Sequence, residues 1–79
     1  MIAEESTFCA IVIDYKAYIG GINVILVYDT ITNDLMNPIK MPEWVVKIVS
    51  LSKNHILCGL RGGSLIIVDI QKKLNIAEL

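Results

Sequence analysis

Ile25-Leu26-Val27-Tyr28-Asp29 and Leu65-Ile66-Ile67-Val68-Asp69 are two apolar runs that each end in aspartate, 40 residues apart. Before each stands an apolar stretch closed by glycine. These are Ala17-Tyr18-Ile19-Gly20 and Ile56-Leu57-Cys58-Gly59, offset by 39. A one-residue difference between Gly21-Ile22-Asn23 and Leu60-Arg61-Gly62-Gly63 reconciles the two offsets. Upstream, each half carries another apolar run, at 8–13 and 45–51. Downstream, each carries a weaker one, at 35–39 and 74–79. The chain therefore reads as two units of four segments, 1–42 and 43–79, and repetition on this scale signals a repeat architecture.

The segments are strand-sized. Fourteen Ile and seven Val favour extended backbone. Turn residues bound each segment, at Asp14-Tyr15-Lys16, Thr32-Asn33-Asp34, Ser52-Lys53-Asn54, Gly62-Gly63 and Gln71-Lys72-Lys73. Few segments reach the ~10–12 residues a helix wants. Residues 44–51 alternate in part, as a strand with one polar face does. The runs 24–28 and 65–68 do not alternate, which predicts that both of their faces are dry. A four-stranded sheet covered on both faces lies between two others, as a propeller blade does. The expected fold is all-β: two four-stranded antiparallel blades, part of a larger or oligomeric propeller. A lone two-blade slab would leave broad apolar faces in water, which monomers rarely tolerate.

Composition closes other routes. Hydrophobic residues make up 54% of the 79, which excludes disorder. A net charge of -1, with seven Lys and Arg spread along the chain, assembles no basic face for nucleic acid. No apolar run approaches the ~18 residues needed to cross a bilayer. Met1-Ile2-Ala3-Glu4-Glu5 is acidic and lacks the basic and apolar parts of a signal peptide. Cys9 and Cys58 sit inside apolar runs. One disulfide would be possible, but two free buried thiols in a reducing compartment fit better. These features together point to a soluble cytoplasmic protein.

The second unit, Ile56-Leu57-Cys58-Gly59 through Gly63-Ser64-Leu65-Ile66-Ile67-Val68-Asp69, resembles a WD-repeat blade. In that family a strand ending in a small residue and glycine is followed by a tight turn and a strand closing in Trp-Asp. Here Val68 stands at the Trp position, and the Gly-His dipeptide of the blade start is absent. The first unit is closer to the kelch repeat, with Gly20-Gly21 after an apolar strand, Tyr28-Asp29 seven residues beyond Gly21, and Met41-Pro42 near the blade end. Leu35 stands where kelch repeats place Trp. The resemblance covers about 70 residues. It implies a rigid toroid that docks proteins or peptides on its loops without catalysis. The alternative it leaves open is a propeller enzyme, or a small-molecule or glycan binder with its site in a central funnel.

Individual residues add detail. His55, the one histidine, follows Asn54 at a strand start. Cys58 is three residues on, a spacing that puts the two side chains on opposite faces of a strand. No Ser-His-Asp or Cys-His constellation is readable, and no cofactor or metal site is expected. Gly59-Leu60-Arg61-Gly62-Gly63 contains a Gly-x-x-Gly, but it joins two strands, so a hairpin needing positive φ accounts for the glycines. No Gly-Lys-Ser/Thr follows, and Gly20-Gly21 opens no helix, so phosphate-loop and dinucleotide motifs are absent. Asp29 and Asp69 end equivalent strands, which suits bonding to turn amides. Tyr28 is expected in the blade core. Trp44 follows Met41-Pro42-Glu43 at the junction between the units, where it either fills the seam or anchors a partner. Trp44, Arg61 and His55 are the candidate partner-binding residues. The expected partners are proteins or peptides, together with further blades supplied by copies of the chain or by a longer parent.

Overall fold

The structure, a computed structural model, describes residues 9–79. Phe8 and the acidic Met1–Glu5 stretch lie outside them. Eight strands form: β1 (Cys9–Ile13), β2 (Lys16–Gly21), β3 (Val24–Asp29), β4 (Ile39–Lys40), β5 (Val45–Ser52), β6 (His55–Leu60), β7 (Leu65–Asp69) and β8 (Leu74–Glu78). They pair in chain order into two four-stranded antiparallel sheets, β1-β2-β3-β4 and β5-β6-β7-β8. There is no helix among the described residues.

Short turns drive the up-and-down order. Asp14 (φ 52°) and Tyr15 (φ 63°) both lie in the left-handed region, as the two central residues of a tight hairpin must. Tyr15 is an uncommon occupant, and its carbonyl is pinned by the Thr30 N–H and hydroxyl, each at 2.8 Å. Asp29 and Asp69 are turn caps, as their equivalence suggests. The Oδ1 of Asp29 accepts from the amides of Ile31 (2.9 Å) and Thr32 (3.1 Å). The Oδ1 of Asp69 accepts from those of Gln71 and Lys72, both at 3.0 Å.

One hydrophobic core joins the sheets. Tyr18, Ile25, Val27 and Ile39 come from the first; Val45, Ile48, Ile56, Cys58, Leu60, Ile66 and Val68 come from the second. The sheets approach most closely where β5 lies against β1 and β2. Gly20 permits this approach. A Cβ built there would lie 2.6 Å from Cys9 Sγ and 2.9 Å from the Val45 carbonyl oxygen.

Three expectations need correction. The runs in β3 and β7 are not dry on both faces. Ile25, Val27, Ile66 and Val68 are buried, whereas Leu26, Tyr28 and Ile67 are half-buried and Leu65 is exposed, because only one neighbouring sheet is present. Tyr28 is accordingly not core: Val27 points inward, so strand alternation sends Tyr28 outward, and Tyr18 is the buried tyrosine. The segment at 35–39 is not a continuous strand. Leu35 makes an isolated bridge to Tyr28, and regular pairing resumes only at Ile39. Pro38 lies between them and has no N–H for a ladder.

Candidate functional site

The strand ends define two turn surfaces. The Ile22-Asn23 turn, the junction after β4 and the β6–β7 turn share one of them. The Asn23 side-chain amide donates to the Pro42 carbonyl at 3.0 Å, and the Met41 N–H donates to the Asn23 carbonyl at 3.0 Å. Val45 pairs with Leu60, which brings Trp44 beside Arg61. The Arg61 N–H donates to the Trp44 carbonyl at 2.9 Å. The Arg61 guanidinium carbon sits 5.1 Å from the Trp44 ring centre, within cation–π range. Arg61 is exposed and Trp44 half-buried. Two of the three candidates therefore meet, with the Arg61 guanidinium over the half-buried Trp44 ring.

Glu43 completes this corner. Its Oε1 accepts from the Gly62 N–H at 2.9 Å. A Cβ at position 62 would lie 2.8 Å from that oxygen, so Gly62 serves close approach. Gly63 alone of the pair has the positive φ (102°) expected of this hairpin. The Glu43 contact spans 19 residues and left no local signal in the sequence.

His55 lies elsewhere. It begins β6 and Arg61 follows its end, so the two are ~20 Å apart along the strand. His55 faces outward and Cys58 inward, as the spacing predicts. The structure does assemble a serine, a histidine and an aspartate here, contrary to the sequence reading. Ser52 Oγ lies 2.9 Å from His55 Nδ1, and Asp69 Oδ2 lies 4.0 Å from Nε2. Cross-strand registers Ser52↔His55 and His55↔Asp69 bring them together, past an irregularity between Ser50 and Ser52. Register across three strands is not legible from spacing. The Asp69 carboxylate is beyond hydrogen-bond reach of the ring, and its Oδ1 is committed to turn amides. The Lys72 and Gln71 amides, with the His55 and Lys72 charges in support and desolvation opposing, hold Asp69 below the usual carboxylate range.

The second end surface also holds an open cleft of about 430 Å³ between the sheets. Lys16, Lys53, Lys73 and Asp14 rim it, and Tyr18, Val27 and Ile70 form its floor. The Lys73 ammonium donates to the Asn37 carbonyl at 2.6 Å, which ties the cleft to the long β3–β4 connection. The Tyr18 phenol is held above its ordinary pKa by burial and then by the Asp14 charge.

Both thiols are free. Cys58 is fully buried, and burial, then the neighbouring Cys9, pushes it up to about 12. Cys9, half-buried near the Val45 carbonyl, is raised by burial as well. Neither has thiolate character at neutral pH, so nucleophilic chemistry at these sulfurs is not favoured. Among the described residues no three His, Cys, Asp or Glu side chains gather as metal ligands. No described helix is long and apolar enough to cross a membrane. Compared with protein-family models, curated proteins and solved structures, the chain matches none.

Proposed function

We propose that the two sheets are successive propeller blades akin to WD and kelch repeats, and that the chain is a non-catalytic scaffold holding a protein or peptide on its turns. Two four-stranded meanders with the same strand order and an internal repeat support the blade reading. The observation that carries the docking role is Arg61 stacked over Trp44 at a turn tip. The guanidinium is oriented by the ring, the Arg61 backbone is fixed by its bond to the Trp44 carbonyl, and among the described residues no carboxylate pairs with the guanidinium. An oriented, unpaired guanidinium suits a carboxylate on a partner peptide, which it grips with two parallel hydrogen bonds. Two free thiols suit a reducing compartment such as the cytoplasm.

Trp44 is the sole tryptophan, so its fluorescence reports directly on this corner. Titration with a hexaglutamate peptide should shift or quench the emission, and Arg61→Ala should abolish the response. An unchanged emission at millimolar peptide, or an equal response in the variant, would reject docking there.

The cleft favours a second reading, a small anionic ligand held by Lys16 and Lys53. Calorimetric titration with citrate, compared between the wild type and Lys53→Ala, tests it. Equal heats would remove it.

A further inference from the structure

The sequence repeat and the burial pattern together show how the two sheets meet. Repeat-equivalent positions are Tyr18 and Leu57, Gly20 and Gly59, Ile25 and Leu65, Val27 and Ile67. In each pair the first is buried and the second is not. The other parity is reversed. Ile56, Cys58, Ile66 and Val68 are buried, whereas their counterparts Ala17, Ile19, Leu26 and Tyr28 are only half-buried. A two-fold sandwich would bury the same positions of the repeat on both sheets. Burying opposite ones means that the front of one sheet lies on the back of the next, a heterologous contact.

This arrangement leaves one open back, on the first sheet, and one open front, on the second. Each has the chemistry of a surface already buried within the chain. Ala17, Ile19, Leu26 and Tyr28 match the sealed positions of the second sheet; Leu57, Leu65 and Ile67 match those of the first. Each open face is the reverse side of a sheet whose other side is already sealed within the chain, so it matches in extent the contact it would repeat.

We propose that these two faces bind each other between copies of this chain. The open front of one copy packs on the open back of the next, repeats the intrachain contact, and closes into a ring. A ring of four to eight blades corresponds to about two to four copies. The inference rests on the blade reading but not on peptide docking at Arg61.

Sedimentation equilibrium on the wild type and on two single-face variants tests it. Leu26→Glu blocks the back and Ile67→Glu blocks the front. The wild type should have the mass of about two to four copies. Each variant alone should fall to one copy, and an equimolar mixture should form a 1:1 pair through the two intact faces. A monomeric wild type, self-association of either variant, or a mixture that stays monomeric would each overturn the proposal. If a glutamate variant loses its β-sheet circular dichroism, Leu26→Ser and Ile67→Ser replace it, and the wild-type mass alone still decides against. Arg61→Ala should leave the mass unchanged. A lost peptide response with an intact ring, or the reverse, therefore separates the two claims.

Discussion

Asp29 and Asp69, 40 residues apart, cap their turns with the same bonds: one Oδ1 accepts from the amides two and three residues on. Those bonds favour the ionised carboxylate and hold both groups below the usual range, with the desolvation of each working the other way. A lowered pKa stabilises the fold above the unfolded value, near pH 3.9 for aspartate, and that contribution is lost as pH falls through the folded value. Melting temperatures measured from pH 7 downward should therefore drop below about pH 4. Asp29→Ala and Asp69→Ala should each melt lower than the wild type at pH 7, with the gap narrowing in acid. A gap that persists at pH 2 would show that the carboxylate charge is not the source.

Cys58 makes the opposite prediction at the alkaline end. Its pKa, pushed up to about 12 from an ordinary 9.0, means that the buried thiol must stay protonated for the fold to persist. That stability is complete below the ordinary value and is lost as pH rises towards the folded one. Between pH 9 and 11 the wild type should lose stability faster than Cys58→Ala, which has no such proton to release. Cys58 in the native protein should also react with a disulfide reagent only as fast as the chain unfolds. Prompt labelling in native buffer would contradict its burial.

Two glycines should respond very differently to the same methyl group. At Gly20 the added Cβ meets Cys9 Sγ on the neighbouring strand of its own sheet and the Val45 backbone of the other, which cannot retreat without separating the sheets. Gly20→Ala should cost about 1–3 kcal/mol in urea unfolding, the usual range for overpacking a core. At Gly62 the methyl meets the carboxylate end of Glu43, an exposed and flexible side chain. Gly62→Ala should cost no more than about 1 kcal/mol, the worth of one hydrogen bond. Equal costs would mean that the approach of β5 to β2 is looser than described.

Tyr15 holds a φ of 63° with its side chain exposed. Left-handed backbone costs an L-residue roughly 1–2 kcal/mol, part of which glycine recovers and part of which it returns as chain entropy. Tyr15→Gly creates the Asp-Gly pair favoured in such hairpins and should stabilise the fold by about 0.5 kcal/mol. A destabilisation beyond 1 kcal/mol would indicate that the Tyr15 ring is packed rather than solvated.

Much of this fold was written locally. Short β-branched segments, turn residues between them and a period near 40 suffice for two four-stranded meanders. The aspartate caps were legible because Asp29 and Asp69 repeat. What escaped depends on register and on neighbours. Leu26 and Val27 are equally apolar, so composition cannot say that Val27 faces the other sheet and Leu26 faces away. Trp44 and Arg61 each stand out singly in the sequence, but their stacking needs the Val45↔Leu60 pairing. Ser52, His55 and Asp69 lie on three strands and meet only through two registers.

The most direct measurement of how the halves pack is an isotope-filtered NOE spectrum on mixed labelled and unlabelled chains. Mixing separates contacts within one chain from contacts between copies. Within one chain, the Val45 methyl protons should show cross-peaks to the Gly20 α-protons and the Cys9 β-protons. The methyls of Leu26 and Ile67 should show no intrachain peaks to the opposite sheet. If those two supplied the intrachain contacts, or if the Val45 to Gly20 peak were missing, the front-on-back arrangement of the two sheets would be wrong.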